Sequence, residues 1–398
     1  MLAGVRRFAQ CAAFVLMAVV LPASAPGQAG NGLSGPWVTE QSGTTAGLRG
    51  IHAVNADVAW AGGTGGTILR TVDGGGTWQR CATPPNSAKL DFRAVWAWDA
   101  KTAIAMSSGP GDQSRLYKTT DGCASWKLLF TNPDKDGFWD AMVFGDRQDG
   151  MILGDPTLDD DPNRTGAHPR LEMTILTTSD GGTSWLREIT PGMPLAGNGL
   201  VVPEGTGAFA ASNSSLFLED HQAWFGLGGT GGARVFIGDS YGLEPWPCGG
   251  CVLPRMLPKR IWFTHSVPAP LAGGTDSSGV FSLDWRKVGA PGYPSILVAV
   301  GGDYSMPNDS TGTAAWSIDG GNHWTASAHP PHGYRSAVEW DRLLGPWITV
   351  GTNGSDISYD DGKSWVPLDN GNWNALSLPW VVGPDGRIAK LDSGWLKK

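Results

Sequence analysis

One cassette recurs five times along this chain, with a Ser or Thr, an Asp, glycine and a closing Trp keeping their places. The copies read TVDGGGTW ending at Trp78, TTDGCASW at Trp126, TSDGGTSW at Trp185, SIDGGNHW at Trp324 and SYDDGKSW at Trp365. Asp73, Asp121, Asp180, Asp319 and Asp360 are placed to accept hydrogen bonds from the backbone of a tight hairpin turn, as short acidic side chains do. Glycines such as Gly75 and Gly182 supply the positive φ that such turns require, and Cys123 takes that place in the second copy. Each Trp then starts a strand and lies against a neighbouring sheet. Burying one hides about 150 to 250 Å², or roughly 4 to 6 kcal/mol gross at about 25 cal/mol per Å². The cassettes therefore read as structural staples rather than as catalytic carboxylates.

Strand-like runs repeat in the same order between cassettes, which predicts an all-β, seven-bladed β-propeller. The expected blades are residues 48–81, 90–130, 138–189, 207–252, 273–328, 334–369 and 373–392. In the fourth the cassette has decayed to Asp239-Ser240-Tyr241, with a distant Trp246. The last lacks an outer strand, and residues 36–43, with the run Trp37–Ser42, are expected to supply it and shut the ring. A ring of sheets accommodates roughly 370 residues in one domain because each sheet packs only on its neighbours. The 58 Gly, 28 Pro and 20 Trp fit a turn-dense, strand-rich protein.

Residues 1–29 read as a signal peptide: Arg6 and Arg7, an apolar run from Cys11 to Leu21, then Ala23-Ser24-Ala25. Pro26 disfavours cleavage directly after Ala25 and leaves Ala29 as the better site. The expectation is an exported protein, periplasmic or extracellular, with no integral membrane segment after cleavage and a monomeric state. A formal charge of −8 argues against nucleic acid as a partner. Beyond the signal, Cys81, Cys123, Cys248 and Cys251 form an even set, which favours disulfides in an oxidising compartment; Cys248 and Cys251 can close a small loop and Cys81 can reach Cys123, but the sequence leaves the connectivity open. A redox CxxC or half a zinc site at Cys248-Gly-Gly-Cys251 is the weaker alternative, because no second CxxC exists. Asp159, Asp160 and Asp161 read as a solvated acidic loop rather than a Ca²⁺ site, and no cofactor or metal is expected.

Aligning the seven inner-strand openings as LRGI, FRAV, FWDA, AFAA, VFSL, YRSA and WNAL puts Arg49, Arg93, Trp139, Phe209, Phe281, Arg335 and Asn374 in register. Arg335, Asn374, Arg49 and Arg93 then form a largely cationic arc at the central mouth, suited to a carboxylate or phosphate. Asp140, Asp155 and Asp303 are placed beside it as further ligand contacts or as ion-pair partners.

The cassettes match the Asp-box, or BNR, repeat, and with the blade order and the arginines they resemble the sialidase-like propeller superfamily. Over nearly the whole chain beyond the signal the sequence looks most like the photosystem II stability/assembly factor branch. The likeness rests on LRGI and DVAWAGGTGGTILRTVDGGGTW between Leu48 and Trp78, GDP at Asp155, GAFAAS from Gly207, VAVGGDY at Tyr304, GYRSAV from Gly333 and GPDGRIAKL ending at Leu391. That resemblance implies a non-catalytic factor that binds a protein or peptide, such as a membrane-protein subunit or its tail. The competing branch is the sialidases and other exo-acting glycoside hydrolases, which use three arginines on a substrate carboxylate, a Tyr–Glu nucleophile and an Asp. For that reading the candidates are Tyr304, Tyr334, Asp155 and Asp303. FRAV replaces the branch's Arg-Ile-Pro, and Glu339 falls five residues past Tyr334, toward the far end of the inner strand.

Overall fold

A computed structural model describes residues 35–158, 171–187, 200–219, 222–241, 260–288 and 295–395. The expected signal peptide, the Asp159–Asp161 loop, Trp246 and the Cys248–Cys251 pair lie outside the described residues. Among those described, the only helical element is a single 3₁₀ turn at Gly111–Gln113, and no helix is long and apolar enough to cross a membrane.

The strands form antiparallel meanders. Leu48–Ala53, Ala59–Gly63, Thr67–Thr71 and Gln79–Arg80 make one four-stranded sheet, and similar sheets open at Phe92, Trp139 and Ala337. The second strand, AWAGG, is buried along its whole length, because the sheet is covered on both faces. Its sequence is accordingly a run of small and apolar residues rather than an alternation.

Two further meanders share a nine-stranded sheet. One comprises Leu216–Glu219, Gln222–Gly229, Arg234–Tyr241 and Arg260–Pro268, and the other runs from Ser278–Arg286 to Thr325–Ala326. They are joined as one sheet by the single ladder pair Gly228↔Gly279. The fourth strand of the first meander therefore lies past the expected boundary at residue 252. No intact cassette precedes it, so no local motif marks where it starts.

The opening strands pack side by side in one cycle. Leu48–Ala53 lies against Phe92–Ala97, followed by Trp139–Phe144, Leu216–Glu219, Ser278–Arg286, Ala337–Trp340 and Ala375–Ser377, which returns to Leu48–Ala53. Close approach of the first two strands requires glycine: a Cβ on Gly50 would meet the Arg93 carbonyl oxygen at 2.2 Å. The N-terminal strand Trp37–Glu40 pairs antiparallel with Ile388–Leu391 and completes the last sheet. Glu40 locks this closure, its carboxylate accepting the indole N–H groups of Trp78 at 2.7 Å and Trp380 at 3.2 Å.

The five cassettes share one turn. In the first, Thr71 Oγ1 donates to Asp73 Oδ1 and accepts the Gly75 N–H, while Asp73 accepts the Thr77 N–H at 2.9 Å and the Thr77 hydroxyl at 2.7 Å. Asp121, Asp180, Asp319 and Asp360 accept the equivalent backbone N–H groups at 2.9 to 3.0 Å. The Ser125 hydroxyl and N–H, with Thr119, hold the Asp121 carboxyl at about 2. Cys123 keeps the left-handed backbone, with φ 66°, and bonds Cys81 at the end of the preceding sheet. The closing Trp residues pack across sheets: Trp78 meets Trp380 edge-on at 6.2 Å and Trp126 meets Trp60 at 6.3 Å.

At the far end of the inner strands, side chains accept backbone N–H groups of the next sheet. His52 Nδ1 takes Ala97 N–H at 3.3 Å, Asp284 takes Trp340 N–H at 2.7 Å and Glu339 takes Leu378 N–H at 2.8 Å. Burial lowers His52 to about 4, so its Nδ1 stays free to accept. Burial pushes Asp284 up to about 6 and, with the Asp284 charge adding, Glu339 up to about 8. A folded carboxyl that binds its proton more tightly than the unfolded one lowers stability as pH rises through that window. Neutral His52 acts oppositely, but its effect is complete near its unfolded value of 6.5. Stability is therefore expected to fall between about pH 6.5 and 8, and Glu339→Gln, which keeps an acceptor for Leu378, should flatten that fall in denaturation midpoints measured across the range.

Candidate functional site

Four inner strands carry a register break at the same place: between Leu48 and Gly50, Phe92 and Ala94, Trp139 and Ala141, and Val280 and Ser282. The extra residues are Arg49, Arg93, Asp140 and Phe281. A bulge re-aims the side chain of its extra residue, and all four line one cavity of about 460 Å³. This corrects the expected alignment in the third sheet. There Asp140, not Trp139, occupies the mouth position, because the bulge shifts the phase by one residue. Trp139 is fully buried and stacks on Phe130 at 5.7 Å.

Phe209, expected on an inner strand, lies instead in the non-strand segment that follows the short strand Thr206–Gly207. That segment crosses the centre of the cycle. The Ala208 N–H donates to Asp155 Oδ1 at 3.0 Å, Arg93 Nη1 donates to the Ala210 carbonyl at 3.3 Å, and the Ser212 hydroxyl donates to the Ser336 carbonyl at 2.7 Å. Residues 208–211 thereby floor the cavity.

One half of the cavity is ionic. Asp91, which sequence reasoning missed, pairs with Arg93 at 3.0 Å and lies 3.9 Å from Arg49 Nε. Its position two residues before Arg93, just ahead of the same strand, was the available signal. The Arg49 side chain is 40% exposed, and its Nε has no hydrogen-bond partner. Asp140 is buried, its Oδ2 unpartnered, and burial and then the neighbouring Asp155 charge raise its pKa well above the usual carboxylate range, against the pull of Arg93. Asp155 is raised by burial as well. Asn374 lines the same wall and donates to the Leu48 carbonyl at 2.7 Å.

The other half is aromatic. Phe209 stacks on Phe281 at 3.9 Å, and Phe281 meets Tyr334 and Tyr304 edge-on at 4.8 and 6.0 Å. Tyr304 is 52% exposed at the rim, whereas Tyr334 is buried, which pushes its phenol far above its ordinary value.

Arg335 and Asp303 do not join the cavity. Arg335 is fully buried and bonds the fully buried Asp356, the Tyr334 carbonyl, Asn353 and His332. The expected arc of three arginines is therefore two, with Arg335 turned into the interior of the sheet that opens at Ala337. Asp303 borders a separate cavity of about 140 Å³ with Thr275 and Asp309. Burial raises its pKa, but hydrogen bonds from Ser277, Ser305 and Thr275 outweigh that and hold it at about 2. Among the described residues no cluster of three or more His, Cys, Asp or Glu suits a metal. Neither tyrosine is hydrogen-bonded to a glutamate among them, and Glu339 is committed to Leu378.

No protein-family model matches the chain, and no curated protein sequence matches it. Among solved structures it is similar to YCF48 from Cyanidioschyzon merolae at 16% identity and TM-score 0.55, covering 90% of this chain and 99% of that one. It is similar also to YCF48 bound to D1 peptide, at 14% identity and TM-score 0.50, covering 90% and 96%. A third likeness is to the WD40 beta propeller domain of Doa1, at 11% identity and TM-score 0.53, covering 90% and 98%. The closed cycle of meanders and these likenesses define the class: the chain is an all-β propeller.

Proposed function

We infer that this chain is an exported, seven-bladed Asp-box propeller of the assembly-factor type, which binds a peptide or protein tail in the bulge-lined cavity and catalyses no reaction. One observation carries the reading: the Arg49 side chain is 40% exposed and lines the cavity, beside an aromatic wall and the floor formed by residues 208–211. A guanidinium so placed accepts a carboxylate through two parallel charge-assisted hydrogen bonds. Similarity in fold to YCF48, whose structure is known with D1 peptide bound, supports this reading, and the Cys81–Cys123 bond fits an oxidising compartment. A membrane-protein tail is the proposed partner, with the propeller acting as a monomer and without a cofactor. The hydrolase alternative draws no support from Tyr304 and Tyr334, because a Tyr nucleophile needs a carboxylate base.

The test uses peptides with free carboxyl termini selected on the full chain. Arg49→Ala should weaken their binding by about 1.5 to 3 kcal/mol, roughly tenfold to a hundredfold. Circular dichroism should be unchanged, since this side chain is partly exposed and makes no hydrogen bond through Nε that the fold would lose. Equal affinity of the variant, measured calorimetrically, removes Arg49 from the site.

A further inference from the structure

The arginines account for only part of this cavity. Asp140 is 2% exposed and lines it, yet its Oδ2 has no hydrogen-bond partner. A buried, unsatisfied carboxylate oxygen is costly unless something pairs with it. The nearest protein cation is Arg93, already engaged by Asp91 and by the Ala210 carbonyl. Asp155 uses Oδ1 on the Ala208 N–H. Asp91, Asp140 and Asp155 thus set three carboxylates against two guanidiniums, and no lysine or histidine is among the described residues lining the cavity. The wall facing them is built from Phe209, Phe281 and Tyr334. Carboxylates beside ring faces suit an organic cation, whose methylenes lie on the rings while its N–H groups reach the oxygens. Ca²⁺ fits poorly, since it takes six to eight oxygens and this wall is mostly carbon.

Building on the peptide-binding reading above, we propose that the Asp140–Asp155 wall is a subsite for a basic side chain of the bound peptide, so that the partner segment carries a lysine or arginine close to the acidic group held by Arg49. The ligand is then dipolar, matching an ionic half that holds both charge signs beside an aromatic wall. The bland competitor is an Asp140 that keeps its proton, which would make the pocket prefer a purely apolar side chain. The two readings predict opposite preferences.

The experiment titrates the full chain with five-residue alanine-based peptides, free at the carboxyl terminus, carrying either lysine or its uncharged isostere norleucine at the last, second-to-last or third-to-last position. Lysine should bind about tenfold more tightly than norleucine at one position at least. Asp155→Asn, which retains an acceptor for the Ala208 N–H, should abolish the preference, as should Asp140→Asn where that variant folds. n-Butylammonium, used as the small probe, should compete with the lysine peptide and not with the norleucine peptide. If norleucine equals or exceeds lysine at all three positions, the cation subsite is overturned while the peptide reading stands. If lysine is preferred equally in wild type and Asp155→Asn, the subsite lies elsewhere and the proposal fails. If no peptide of either kind binds, both readings fall together.

Discussion

Arg335→Ala should destabilise the fold by about 3 to 5 kcal/mol, the range for removing one partner of a buried ion pair. The reason is Asp356. Its carboxylate is fully buried and is held by Arg335 through Nε and Nη2, with His332 Nδ1 at 2.7 Å from its other oxygen. Truncating Arg335 leaves a desolvated charge and also frees the Tyr334 carbonyl and the Asn353 side chain that the same guanidinium satisfies. Chemical denaturation of wild type and variant measures the loss. Arg335→Met combined with Asp356→Leu should recover most of it, because apolar replacement of both partners removes the unpaired charge. A loss under about 1 kcal/mol in the single variant would show the pair to be dispensable. Loss of peptide binding in Arg335→Ala is therefore no sign of ligand contact unless the fold is shown intact.

Removing the Cys81–Cys123 bond should cost a similar amount. The two cysteines are 42 residues apart in sequence, and chain entropy for a loop of that size gives about 4 kcal/mol. The bond ties the end of the first sheet to the cassette of the second, which are the sheets that carry Arg49 and Arg93. Cys81→Ala with Cys123→Ala should show the full loss in denaturation midpoints. Cys81→Ala with Cys123→Gly should regain roughly 0.5 to 1 kcal/mol, because glycine suits the left-handed backbone at that position better than alanine. Equal stability of oxidised and reduced wild type would contradict this account.

Much of the architecture was legible because its signals are local. A cassette of eight residues defines its own turn through Thr71, Asp73, Gly75 and Thr77, and the run at Trp37 reads as a missing strand without knowledge of its partner. The candidate site was harder to read for a geometric reason. A single bulge residue decides which side chain reaches the mouth, and FWDA offers two phases that differ only by that insertion, so the sequence pattern puts Trp139 where Asp140 sits. Arg335 misleads in the opposite way: its place in the aligned opening YRSA matches that of Arg49 in LRGI, but Asp356 and Asn353, some twenty residues later, draw it inward. The segment 208–212 reads as a strand from composition, yet three long-range hydrogen bonds to Asp155, Arg93 and Ser336 hold it across the centre instead. Glu40, which clasps two indoles from different sheets, carries no local signature at all.

The central claim is that the ligand enters at the bulge face and rests on that crossing segment. Hydrogen–deuterium exchange of the full chain, with and without a selected carboxyl-terminated peptide, tests it most directly. The account predicts slowed exchange at the amides of residues 208–212 and 92–94 on binding. Slowing confined to the cassette turns around Asp73, Asp121, Asp180, Asp319 and Asp360, on the opposite face, would contradict it.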